Sequence, residues 1–239
     1  MSSNRPGRWF RRLIVTLVVL AVLAIAVDRI AAVVAQNQLA SMATKEAAKY
    51  DVRSADTSVK IGGFGFFPQL FKEDFSKVTL TMEKPTLTKI PGENLTVDMH
   101  SVHVPRSLLT QQSGAVTIDT TNLRLQFAPR ELGRLAVAAT DLQGLSLVVV
   151  DGKLHAKLTL GGSSADVPIT PKISNGRMAL AVDQLPDGIP AVLRTALQNR
   201  LADGIEIPKL PFGAQVTGVS IEDNSVVLTA AVQDLKFNS

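Results

Sequence analysis

The chain has 239 residues, 46% of them hydrophobic and none of them cysteine, which excludes disulfides, zinc–thiolate sites, a cysteine nucleophile and a lipid anchor on cysteine. Its net charge of +4 comes entirely from Arg5, Arg8, Arg11 and Arg12, because basic and acidic residues balance from Asp28 onward. No basic run offers the phosphate-collecting face of a nucleic-acid binder, so nucleic acid is excluded as a partner.

Behind this basic tail of residues 1–12, the uncharged run LIVTLVVLAVLAIAV occupies residues 13–27 and would span about 22 Å as a helix. Trp9 and Phe10 precede it. Residues 30–35 prolong it past Asp28 and Arg29, so 13–34 reads as a transmembrane anchor or signal segment. The arginines keep the tail cytoplasmic and send the rest across the plasma membrane. If the segment is retained, the product is a single-pass protein with an extracytoplasmic C-terminal part. If it is cut at the small-x-small pattern Ala24-Ile25-Ala26, the product is secreted or periplasmic.

Residues 28–50 are rich in alanine and free of proline and glycine, which predicts a helix. Its packing stripe is expected to be Ile30, Val33, Asn37, Ala40, Thr44 and Ala47. A first strand follows at 58–62 and breaks at Gly62-Gly63-Phe64-Gly65-Phe66-Phe67-Pro68. Glycine permits unusual backbone angles and proline bars a central strand. Five of the nine phenylalanines fall between Phe64 and Phe75. This stretch reads as a core plug, as the mouth or wall of an apolar pocket, or as a loop that touches the membrane.

Period-two alternation then marks sheet strands with one covered face: Val78, Leu80 and Met82, then Leu95, Val97 and Met99. The phase changes at Val102 and Val104, which predicts a bulge near His100 and Ser101. Further segments run over 116–118 and 123–127. A short helix is expected over 129–140, with Gly133 weakening it. A hairpin turns at Asp151-Gly152 within 145–160, and another at Ser174-Asn175-Gly176 joins 167–170 to 173–182. A second helix is expected over 190–203, then a rigid extended connection at 205–213. The last hairpin closes about Glu222-Asp223-Asn224. Strands that follow one another through turns predict an α+β fold with antiparallel sheet, as a single extracytoplasmic domain over 28–237.

Catalytic chemistry is sparse. The histidines are His100, His103 and His155, and the first two, three apart on a strand, face opposite sides unless a bulge intervenes. No metal site is expected. Gly161-Gly162-Ser163-Ser164 lacks the strand–turn–helix setting of a nucleophile elbow, and Gly62-Gly63-Phe64-Gly65 lacks the features of a phosphate loop. Glu131, Asp141 and Asp151 lie near turns, and nothing in the sequence pairs them as acid and base. The expectation is a non-enzymatic protein without cofactor. A lipid hydrolase or transferase would need His155 to converge with Asp151 or Ser163. An apolar sheet face beside a membrane suits an acyl-chain pocket, but a membrane-anchored scaffold with a filled core carries the same period-two pattern.

Two stretches carry a family resemblance. Gly63-Phe64-Gly65-Phe66-Phe67-Pro68-Gln69-Leu70 and Ile207-Pro208-Lys209-Leu210-Pro211-Phe212-Gly213-Ala214-Gln215-Val216 resemble motifs of the LmeA-like actinobacterial cell-envelope proteins. Leu185-Pro186 and Ile189-Pro190 also fit. Gly65 stands where that family prefers proline, and Phe67-Pro68 where it prefers Leu-Thr. The resemblance implies binding of phospholipid or another acyl lipid and a part in envelope lipoglycan assembly, with glycan-assembly proteins as partners. It also implies a long curved sheet wrapped on a long helix, similar to tubular lipid-binding (BPI-like) domains. With the cavity between sheet and helix, the candidate lining residues are Phe64, Phe66, Phe67, Leu80, Met82, Leu95, Val97, Leu158, Leu180, Leu193 and Leu197.

Overall fold

A computed structural model describes residues 7–87, 90–107, 114–160, 162–174, 176–182, 194–195, 201, 204–207, 210 and 213–238. The apolar run and the alanine-rich stretch form one continuous helix, α1 (Gly7–Ala48). Nothing interrupts it, because neither proline nor glycine follows Gly7 in that span. Its two halves have different surroundings. Along the apolar half the side chains are exposed on all sides, with only 6% of the most apolar window buried. The second half packs chiefly on strand β2 (Asp56–Ile61).

The face that α1 turns inward keeps Ala40 and Ala47 of the predicted stripe but not Ile30, Val33, Asn37 or Thr44. Ala32 is buried, and Asp28, Ala31, Ala35, Gln36, Ala40, Ala43 and Ala47 are half-buried, whereas Ile30 and Val33 are exposed. The helix presents its small side chains to the sheet and its branched ones outward. Alanine allows the close approach that bulkier residues would prevent.

The fold is α+β, as expected, and among the described residues every strand pair is antiparallel. Strands β3 (Asp74–Glu83), β6 (Asn94–His103), β7 (Ala115–Phe127), β13 (Gln215–Glu222) and β14 (Ser225–Asn238) join β2 in a six-stranded sheet of order β13-β14-β7-β6-β3-β2. Strands β8 (Leu145–Val150), β9 (Lys153–Leu160), β10 (Ser163–Ser174), β11 (Arg177–Val182) and β12 (Ile205–Glu206) form a five-stranded meander in sequence order. Strands β1 (Val52–Arg53), β4 (Thr86–Leu87) and β5 (Ile90–Pro91) make a small third sheet. The hairpins turn where the sequence places them. Asp151 and Gly152, and likewise Asp223 and Asn224, all have positive φ, which suits the twist of a two-residue hairpin.

The five-stranded sheet owns a closed core. Leu147, Leu154, Leu158, Val167 and Leu180 are each at most 2% exposed. Helix α3 (Pro129–Thr140) covers them with Leu132 and Ala136. Gly133 is there for proximity: a Cβ on it would come within 3.0 Å of the Leu147 backbone nitrogen. Of the predicted helix over 190–203, Arg194, Thr195 and Leu201 are helical and Leu201 is fully buried. Leu193 and Leu197 lie outside the described residues.

The expected bulge near Ser101 is instead a crease. Ser101 and Asp234 adopt positive φ of 51° and 53°, yet pairing continues in unchanged register on either side, His100 with Thr120 and Val102 with Ile118. Four neighbouring strands skip one residue of alternation at this row, so the apolar side chains stay on one face across it. One consequence is that His100 and His103 both lie on the polar face. A register shift does occur in β13, between Val216 and Gly218.

Candidate functional site

The six-stranded sheet is amphipathic across its whole width. On one face the cross-strand rows read Met82–Leu95–Leu125–Leu228, Leu80–Val97–Leu123–Ala230, Val78–Met99–Thr121–Val232 and Phe75–Val102–Ile118–Leu235. On the other they read Thr79–Asp98–Asn122 and Thr81–Thr96–Arg124. Ion pairs secure this polar face. Lys77 lies 3.0 Å from Asp98, which also accepts a 2.6 Å hydrogen bond from Thr79. Partial burial opposes ionisation of Asp98, but the hydrogen bonds from Thr79 and Lys77 outweigh it and hold its carboxyl below the ordinary value. Arg124 grips Glu222 with both guanidinium Nη atoms.

The apolar face has no such closure. Because α1 lies along the β2 edge, the middle of the sheet is left as a groove. Leu80, Met82, Leu95, Val97, Met99, Ile118, Leu123, Val232, Leu235 and Phe237 form its floor, and Ala43, Ala47, Tyr50 and Val52 wall it on the helix side. The cavity holds about 290 Å³, near the lower end of the roughly 300–1,000 Å³ of ligand sites. It reaches from β3 to β14, four strands at about 4.8 Å spacing. Leu80, Leu95, Val97, Met99 and Leu123 are only half-buried. Thr121 contributes a hydroxyl with no hydrogen-bond partner within the described residues. A second, smaller cavity of about 80 Å³ lies beyond Leu125 and Leu228, under Leu132, Leu135, Met178 and Ile205.

The structure gathers four of the sequence-predicted lining residues, Leu80, Met82, Leu95 and Val97, at this groove. Leu158 and Leu180 sit instead in the closed core of the five-stranded sheet. Phe66 packs against Phe75, their ring centroids 5.9 Å apart, in the apolar cluster at the β2 end of the face. Phe67 meets Phe66 edge-on at 5.7 Å, and Phe64 is 92% exposed. Met99 and Leu123 were legible as lining residues from the same alternation. Val232, Leu235 and the α1 contributors were not, because their place depends on long-range pairing.

The glycine- and phenylalanine-rich stretch hides a helix, α2 (Phe66–Lys72). Gly65 enters it at φ 70°, a conformation natural to glycine. Its cap comes from far away in sequence. The Asp28 carboxylate of α1 accepts the backbone N–H groups of Phe66, at 2.8 and 2.9 Å, and of Phe67, at 2.8 Å. The buried Gln69 braces the opposite side. Its Nε2 donates to the carbonyls of Gly62 and Gly65, and its Oε1 accepts from the backbone N–H of Ser76.

His155 meets Asp166 at 2.8 Å across β9 and β10, while Asp151 occupies the β8–β9 turn and Ser163 pairs with Leu160 at the other end of β9. Among the described residues no three His, Asp or Glu side chains converge as a metal site would require.

What fold and site define is an α+β protein with an apolar-floored groove between an amphipathic antiparallel sheet and a helix that emerges from an exposed apolar segment. The chain belongs to the LmeA-like phospholipid-binding family, which matches residues 26–231. The match begins just before Asp28, takes in the whole five-stranded sheet and ends within β14. No curated protein and no solved structure matches the chain.

Proposed function

We propose that the groove holds an acyl chain of a phospholipid or related lipid, without chemistry, in a protein kept at the outer face of the plasma membrane by α1. The half-exposed floor carries this reading. Leu80, Leu95, Val97, Met99 and Leu123 lie side by side on a rigid sheet with a cavity above them. Each methylene moved there from water contributes about 0.8 kcal/mol. Membership of a phospholipid-binding family supports the same ligand class. The arginine-rich tail supports the orientation. Retention of α1 is favoured over cleavage by the Asp28 clamp, which cutting after Ala26 would leave on a frayed helix end. A role in supplying lipid for envelope lipoglycan assembly rests on the family resemblance.

Native mass spectrometry of the full chain released from lipid nanodiscs tests the reading. Bound phospholipid is expected on the wild type and lost from a Val97→Trp, Leu123→Trp variant that fills the groove. A wild type that carries no lipid, or a filled variant that carries as much, would sink it.

A further inference from the structure

The α2 element has an outward face of its own. Pro68 and Phe71 lie three apart on the helix and Phe64 just ahead of it, and all three are exposed, Phe64 by 92% and Phe71 by 66%. The inward face is tied down: Gln69 is buried among three backbone partners, and Phe66 packs on Phe75. An apolar stripe on a mobile loop could fold away from water, but this one is braced outward.

Asp28 fixes its height. The carboxylate that holds the Phe66 and Phe67 N–H groups sits on α1, so α2 docks at the level of that residue. The exposed apolar surface of α1 does not end there. Ile30, Val33 and Val34 are 66%, 53% and 64% exposed, six residues or roughly 9 Å farther along the helix. On that side the apolar surface runs from Leu13 to Val34, about 33 Å, which matches a hydrocarbon core of about 30 Å. Phe64, Pro68 and Phe71 therefore belong to an element held at a residue that has this exposed apolar surface on both sides of it along the helix.

We infer that α2 is a membrane foot, seated in the acyl region of the bilayer leaflet opposite the arginine tail. Asp28 lies within that leaflet with its carboxylate satisfied by the foot's own amides, the pairing that an ionisable group at such depth requires. Arg29 and Lys72, both exposed, reach the headgroups along their aliphatic stems. The foot also joins the bilayer to the groove. Phe66 and Leu70 on its inner side belong to one apolar cluster with Phe75, Met99, Ile118 and Leu235, and the last three line the groove floor. The inference rests on α1 being retained and not on the groove holding lipid, so intact mass of the membrane-bound protein checks its premise separately.

The absence of cysteine makes a clean test. Full-length Phe64→Cys, Phe71→Cys and, as a reference on the exposed side of β8, Ser146→Cys are labelled with an environment-sensitive fluorophore. They are then reconstituted in phosphatidylcholine–phosphatidylglycerol vesicles. Labels at 64 and 71 are expected to lose quenching by aqueous iodide and gain quenching by doxyl-labelled lipid, with the reverse at 146. Labels at 64 and 71 that behave like the one at 146, or that are shielded from both quenchers as a protein partner or second copy would shield them, overturn the inference. The unmodified chain gives a second measurement: a diazirine-bearing acyl phospholipid is expected to label residues 63–72. Labelling of 13–27 without any of 63–72 overturns it too.

Discussion

The two large sheets begin from the same instruction and end differently. Leu154–Leu158 in the five-stranded sheet and Leu95–Met99 in the six-stranded one alternate apolar and polar residues alike, yet Leu158 is fully buried and Leu95 is not. The difference lies in what covers them. Helix α3 packs on β8 and reaches β12, so it spans its sheet from one edge strand to the other, and it can approach because Gly133 has no side chain. Helix α1 sits over the edge of its own sheet, and its inward face is alanine. A sheet face is a core or a binding surface according to where its helix lies.

The largest expected effect probes that contrast. Leu158→Ala should cost about 2–5 kcal/mol, because the closed core cannot collapse into the cavity left behind. Leu95→Ala on the groove floor should cost about 1 kcal/mol or less, since that side chain is already partly wetted. Denaturant unfolding of the solubilised protein measures both, and equal losses would mean that the groove is core. A smaller effect is expected at the junction between α1, α2 and the sheet. Gln69→Leu should cost about 1–3 kcal/mol, since it strands the Gly62 and Gly65 carbonyls and the Ser76 N–H. Hydrogen exchange should show the loss concentrated at residues 62–76.

The smallest effect lies on the polar face, where the clasp between β7 and β13 is half-exposed and screened by salt. Arg124's hydrogen bonds, followed by that from Ser220, hold the Glu222 carboxyl below its ordinary value of 4.5. A carboxyl lowered in the folded state stabilises fully above the unfolded value and loses that contribution as pH falls through the folded one. The melting temperature should therefore decline as pH drops below about 4.5. The part of that decline absent in Glu222→Gln belongs to the clasp.

Local chemistry made much of this legible in advance. Period two marked the strands, and the Asp151-Gly152 and Asp223-Asn224 turns announced their positive φ. The phase change at Val102 revealed a backbone irregularity, although a single strand could not show that its neighbours skip in step and so keep register. Helix α2 was hidden because its capping carboxylate stands 38 residues upstream. Asp28 itself read only as an interruption of the apolar run. The stripe of α1 was legible at Ala40 and Ala47 but not at Ile30 and Val33, because branched side chains ordinarily signal a packing face and here point outward.

The amino-acid order alone determined an exposed apolar segment continuous with an alanine-rich helix, an antiparallel α+β body, and a scarcity of catalytic groups, since each of these follows from neighbours within a few residues. Only the tertiary structure decided which of two similarly patterned sheets would be sealed and which left open. It also decided that α2 would be pinned to α1 at Asp28. Burial and long-range hydrogen bonds depend on what folds over a surface, and that is settled by pairings tens of residues apart.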